Sequence, residues 1–415
     1  MSVRQAAGPV AGVAREVVET AYSYRWVILI ISTMVQTLTS FTNQSIAPLA
    51  PYLQSDLSLS RAQIGLLSTA IFGAGFIMVP VGWLADRFGV RLMFVVGLTA
   101  VGLFTALAWG APGYGILLVL MALSGLGNAI AMPPTTRAIM YWFPQRNRGI
   151  AMSVKQTGVA MAGFITALSV PWLADAFGWR GTMLTLGVLV LVAAALAGIF
   201  YREYPAPVAA KAASTHKMSE LFGNRDLLLL CGVSLGYGIA QLSFVYFLVL
   251  YLVQALGYTT LAASSLLAAA QLSGVCARIG WGVVSDKVFG GRRKVVMGII
   301  GALTGCTALA FAALPAGAPS WIVSALVIVG GAGFIGWNGV NMTYVAELAG
   351  KELSATAAGL SLTVTYVGIV IGPPIFGWTV DVTKSYSVGF TALAAVSFAS
   401  LILLSLIRGQ RRAAA

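Results

Sequence analysis

Three basic residues, Arg137, Lys155 and Arg278, stand inside long apolar runs with no acidic residue beside them. The twelve acidic residues, from Glu16 to Asp381, all fall in polar stretches or at the ends of apolar ones, and the lone histidine, His216, lies in the longest polar stretch. An ionised group deep in an apolar segment is costly and persists where it meets water, a partner or a ligand. Cations without carboxylates predict a ligand that brings the negative charge with it.

Arg278 is the foremost candidate. It lies eight residues before Asp286, about 12 Å along a helix. The tilt of side chains toward a helix N-terminus carries its guanidinium toward the bilayer centre. A planar, permanently charged fork there suits a bidentate grip on a carboxylate. Lys155 sits about 10 Å into its own run if that run starts near Arg148, and its tilt points the other way. It either snorkels to the surface or supplies a second positive group, in which case a dicarboxylate fits. Arg137, five residues before Trp142, reads as a headgroup or loop contact.

The elements that must position these groups are membrane helices. Hydrophobic residues make up 59% of the 415 and charged residues only 9%, against roughly a quarter charged in soluble proteins. The net charge of +13 is scattered singly, without a nucleic-acid motif, so no nucleic-acid partner is expected. Cys231, Cys276 and Cys306 lie in apolar runs without CxxC spacing, which predicts neither disulfides nor a metal site. No cofactor is expected.

Runs of about 20 apolar residues predict twelve spans, at about 26–50, 63–84, 92–110, 114–140, 150–173, 182–201, 227–254, 260–285, 294–314, 320–346, 353–379 and 387–407. Residues 1–25 form a polar tail, 26–201 the first six-helix half, 202–226 a linker, 227–407 the second half and 408–415 a short tail. Nineteen basic residues fall on the side of the termini and linker, whereas Arg61, Arg180 and Lys384 fall on the other. The positive-inside rule then places both termini in the cytoplasm.

An internal repeat links the halves. Gly82-Trp83-Leu84-Ala85-Asp86-Arg87-Phe88-Gly89-Val90-Arg91 is echoed by Gly282-Val283-Val284-Ser285-Asp286-Lys287, with the aspartates 200 positions apart. Tyr52 and Tyr251 keep an offset of 199, and Trp172 and Trp378 one of 206. Ordered pairs at half the chain length are the mark of a transporter built from repeats.

On these residues the chain resembles the major facilitator superfamily over essentially all of its length. The Gly-x-Leu-Ala-Asp-Arg-x-Gly-x-Arg loop between spans two and three, its weaker copy between spans eight and nine, and the central linker carry the resemblance. It implies an all-α membrane protein of twelve transmembrane helices in two pseudo-symmetric halves around a cavity, exchanging inward-open and outward-open states. It also implies a gating role for Gly82, Asp86, Arg87, Gly89, Arg91 and Asp286, where charge-assisted hydrogen bonds latch neighbouring helices in one state; a solubilising turn is the other reading.

Arg278-x-x-x-Gly282 is similar to the eighth span of monocarboxylate and oxalate/formate transporters, in which the matching arginine binds the substrate carboxylate. The oxalate/formate branch carries a second cation on span eleven, where this chain has Thr363, Thr365 and Tyr366; Lys155 lies on the repeat mate of that span. On the spans that line the family's cavity stand Asn43, Gln44, Asn128, Tyr237, Gln241, Gln271, Trp337, Asn338, Asn341, Thr365 and Tyr366. About a third of these are expected to touch substrate, the rest to bond helices together.

Taken together, the expectation is a secondary transporter of small organic anions, monocarboxylates first, working as proton symport or anion exchange. It would be a monomer in a bacterial inner membrane. Efflux of amphipathic drugs is the alternative, against which the basic interior argues. An enzyme is not expected, since no metal cluster, carboxylate pair or nucleophile motif is present.

Overall fold

A computed structural model describes residues 9–77, 87–204 and 222–408. Among them, ten helices are long and apolar enough to cross a membrane. The first runs from Tyr24 to Leu57 and is interrupted at Ser45, because Pro48 has no N–H to give the Gln44 carbonyl. The second begins at Arg61 and is described as far as Ile77. The third and fourth are Val90–Gly110 and Tyr114–Trp142. A single 50-residue helix, Ala151–Phe200, holds the fifth and sixth spans, separated at Gly178 by a positive φ of 68°.

The second half repeats the pattern with Arg225–Gln254, Thr260–Val288, Arg293–Ala313, Ser320–Gly350, Thr356–Thr383 and Tyr386–Ser405. The seventh span therefore starts two residues before the expected position, where the Asn224 side chain accepts from the Leu227 amide at 3.1 Å. Ser60 and Gln63 start the second span with a reciprocal capping box, which satisfies two amides that a helix start leaves open.

Small residues set the packing within each half, since lipid gives helices no hydrophobic reason to associate and close contact must do so. A Cβ on Gly97 would lie 2.7 Å from the Ala131 amide nitrogen, and one on Gly187 2.4 Å from that of Ala106. Large apolar side chains such as Ile199, Ile279 and Trp172 point outward, as a lipid-facing surface requires.

The apolar core divides unequally between the two ends of the bundle. At the end carrying Arg61, one continuous cluster joins Ile46, Leu49, Ile64 and Leu67 of the first half to Phe244, Phe247, Phe376 and Phe390 of the second. Toward the end carrying Arg91, each half keeps a core of its own, around Phe94 and Tyr201 in one and around Trp337 and Tyr344 in the other. The halves are thus fused at the Arg61 end.

Hydrogen bonds tell the same story. They join the halves at the level of Asn43 and Gln271 and nearer Arg61. The Thr69 hydroxyl donates to the Val370 carbonyl at 2.5 Å, the Tyr246 hydroxyl to the Asn43 carbonyl at 2.8 Å, and the Gln271 amide to Gln44 Oε1 at 2.7 Å. Glycines bring the backbones together: a Cβ on Gly65 would sit 2.5 Å from the Pro373 oxygen and one on Gly377 2.3 Å from that of Arg61.

Candidate functional site

The site begins with a flaw in the tenth span. Gly330-Gly331-Ala332-Gly333-Phe334-Ile335-Gly336 places four glycines in seven residues. The α-helix gives way there to a π-turn over Gly331–Ile335, resuming at Asn338. Such turns release carbonyls from the regular ladder. The Ala332 carbonyl accepts from Trp281 Nε1 at 3.0 Å, and the Ile335 carbonyl from Arg278 Nε at 3.2 Å. A glycine on span ten permits the approach, since a Cβ on Gly331 would lie 2.2 Å from the Ala270 oxygen of span eight.

From that carbonyl a polar chain extends into the second half. Asn338 Nδ2 contacts the Ile335 oxygen at 3.4 Å and donates to Gln241 Oε1 at 3.1 Å. Gln241 Oε1 also accepts from Trp337 Nε1 at 2.9 Å. Arg278 is therefore oriented through Nε, while no acidic side chain among the described residues pairs with it. The two Nη groups remain to grip a ligand, and a carboxylate matches their planar fork.

Lys155 lies across the seam. Its ammonium donates to Thr135 Oγ1 at 3.1 Å and Thr136 Oγ1 at 3.0 Å, and the residue is only 4% exposed. Two hydroxyls on span four thus hold the charge inside. A lysine has three N–H donors, and these two bonds leave one. Arg137 instead sits over the Tyr141 ring, 5.1 Å from its centroid.

The two cations stand at matching depth. A Cβ on Gly163 would touch Gln271 at 2.8 Å, which fixes spans five and eight in register. Lys155 is eight residues from Gly163 and Arg278 seven from Gln271, both toward the Arg91 end and thus about 12 and 10 Å below that level.

The remaining predicted residues divide into groups. Gln44 and Gln271 form a pin across the seam, with Gln44 Nε2 also bonded to the Val159 carbonyl at 3.0 Å. Tyr366 is in the seam as well, its ring against Gly75 of span two, and Asn43 contributes its carbonyl to Tyr246. Two residues are turned into packing instead. The Tyr237 hydroxyl is spent on the Met297 carbonyl at 2.8 Å, and Asn341 accepts from Ser234 at 3.1 Å while fully buried.

Of the gating candidates, Gly82 and Asp86 lie outside the described residues. Arg87 is exposed. Gly89 has φ +83°, and a Cβ there would also meet Glu203 at 2.7 Å. Arg91 gives its amide to Glu203 Oε1 at 2.7 Å and Nε to the Gly198 carbonyl at 2.6 Å. Asp286 pairs with Arg293 at 2.5 Å, and Arg293 with Glu347 at 3.1 Å. These bonds tie helices within one half.

Sequence reasoning missed the clasp at the opposite end. Asp381 accepts from the amides of Arg61 and Ala62 at 3.1 and 2.8 Å and from Arg61 Nη1 at 3.4 Å. Arg61 Nη2 and Nε reach Gln254 Oε1 at 2.8 and 3.2 Å. Arg61 was visible as one of few cations on its side of the chain, but no local pattern names its partners.

The sequence profile described as Major Facilitator Superfamily matches residues 29–373. A probable sulfoacetate transporter of Cupriavidus necator is 27% identical, the match covering 83% of this chain and 85% of that protein. A probable galactarate/D-glucarate transporter of Bacillus subtilis is 25% identical over 90% of both chains, and monocarboxylate transporter 13 of Bos taurus 29% identical over 79% and 76%. Among solved structures, a bacterial homologue of the human lysosomal transporter Spinster, in an inward-facing and occupied conformation, superposes with a TM-score of 0.81 at 16% identity. That match covers 92% of this chain and 97% of the other.

Proposed function

Since the chain belongs to the Major Facilitator Superfamily, and is a membrane transporter rather than an enzyme, we propose that its cargo is a small organic anion, held by Arg278 with Lys155 opposite. The observation that carries this reading is the Arg278 guanidinium. It is fixed through Nε to the Ile335 carbonyl, with no carboxylate on it among the described residues, so the cargo supplies the counter-charge. Lys155 at matching depth adds a second positive group, which favours carboxylates that carry a further anionic or polar substituent. Relatives described as sulfoacetate, galactarate/D-glucarate and monocarboxylate transporters support the class.

The basic excess at the Arg91 end supports a cytoplasmic position for that end. The fused Arg61 end then makes this an inward-facing state, and rocking of one half on the other exposes the site outward. Protons enter with the substrate's own carboxylate, or a second anion exchanges for it.

The test is uptake of labelled mono- and dicarboxylates into proteoliposomes with an inward proton gradient imposed or dissipated. Carriage of carboxylates is expected; carriage of neutral or cationic solutes alone would sink the reading. In the same assay Lys155→Met should lower dicarboxylate uptake about 10- to 100-fold and change monocarboxylate uptake by less than about threefold, because only the doubly charged cargo uses both cations. Equal losses for both would assign Lys155 to structure. Gln241→Leu removes the acceptor that orders Asn338 and Trp337 beside Arg278. It should raise KM by about three- to tenfold while leaving Vmax near the parent value.

A further inference from the structure

The Arg61 end contains a cavity of about 310 Å3. Arg61 lines it from the first half, and Gln254, Lys384, Ser385 and Tyr386 line it from the second. It is remote from the central site: Arg278 lies 18 residues beyond Thr260, where span eight starts at this end, which is about 27 Å along a helix.

Donors outnumber acceptors in this cavity. Gln254 Oε1 takes three of them, Arg61 Nη2, the Tyr386 hydroxyl at 2.7 Å and Arg61 Nε, the last shared with the Tyr386 hydroxyl oxygen at 3.1 Å, although a carbonyl oxygen has two lone pairs. Asp381 reaches the Arg61 guanidinium only at 3.4 Å, while each of its oxygens also accepts a backbone amide. Lys384 stands exposed at the rim, with φ +55°, and no described residue pairs with its ammonium. The charged groups that face the cavity or its wall are therefore Arg61 and Lys384 against Asp381, a net positive balance with a shortage of acceptors.

We propose that this cavity is a second anion site, taking a small carboxylate between Arg61 and Lys384. The first half contributes Arg61 and the second half the rest of the lining, so both cations face the anion only while the Arg61 end is closed. A ligand that binds one of two conformations shifts the balance toward it. Anion on this side holds the gate shut and favours the inward-facing state. This site does not depend on what the central site carries.

The experiment uses the full chain in lipid nanodiscs, with spin labels at Pro112→Cys and Ala316→Cys on loops of opposite halves at this end, and Cys276 and Cys306 replaced by Ala. Arg278→Ala is included so that the central site contributes nothing. Acetate is titrated against chloride at constant ionic strength while electron–electron distances are read. Acetate should enlarge the short-distance population. Lys384→Gln should raise the half-effect concentration about fivefold without altering the acetate-free distribution, since Lys384 makes none of the clasp's bonds, and Lys384→Arg should restore the response. A shift to longer distances would mean that anion pulls Arg61 off Asp381, and would overturn the proposal. So would no response, or an unchanged response in Lys384→Gln.

Discussion

Arg278→Ala is expected to lower carboxylate uptake into proteoliposomes by about 10²- to 10³-fold. The fork left by the Nε bond to Ile335 can make two charge-assisted hydrogen bonds to a carboxylate, each worth about 1.5–3 kcal/mol. Losing both removes about 3–6 kcal/mol, and the lower part of that range, about 3–4 kcal/mol, is the stated factor. Arg278→Lys keeps the charge but loses the fork and the carbonyl anchor together, so only a partial recovery is expected. The substitution should leave folding intact, because Arg278 contributes one backbone-directed bond and no ion pair among the described residues. A normal melting temperature with abolished uptake would support the site. Unimpaired uptake of any carboxylate by Arg278→Ala would refute it.

Gly377→Val is expected to hold the Arg61 end open. A Cβ at Gly377 falls 2.3 Å from the Arg61 oxygen and 2.8 Å from the Ala62 nitrogen. The clash is with backbone, which no rotamer can relieve. Overpacking of this kind costs about 1–3 kcal/mol, and it acts only where span eleven meets span two, across the seam. The closed state alone is destabilised, so the balance between states shifts by about 5- to 150-fold. Labelling of a cysteine at Gln44, behind the seam, by a membrane-impermeant thiol reagent from the Arg61 side should rise accordingly while uptake falls. Gly65→Val, facing the Pro373 oxygen, should behave alike. Unchanged labelling in both variants would show that the glycines are not what allows closure.

The two effects have different origins, and the sequence disclosed them unequally. Arg278 was legible as a candidate because its signal is local: a permanent cation in an apolar run, about two helical turns from a charged turn. Its anchor was not. The Ile335 carbonyl lies 57 residues away, and nothing in the spacing of charges says that a glycine-rich stretch of span ten will open its ladder there. The run Gly330-Gly331-Ala332-Gly333 was the available clue. Lys155 gave an ambiguous signal, since side-chain tilt favoured snorkelling, and only the hydroxyls of Thr135 and Thr136 on a neighbouring helix turn the charge inward. Tyr237 and Asn341 looked like pocket residues by position, yet a carbonyl and a serine on adjoining helices claim them.

Hydropathy, the repeat and the charge asymmetry determined by themselves the helical class, the pairing of halves and the basic interior. Each is a property of single segments, fixed by the cost of placing polar groups in lipid. The closed end, the clasp between Arg61 and Asp381 across 320 residues and the shared depth of Lys155 and Arg278 were decided only by tertiary structure. They depend on which helix faces meet across the seam, which no single segment of the sequence encodes.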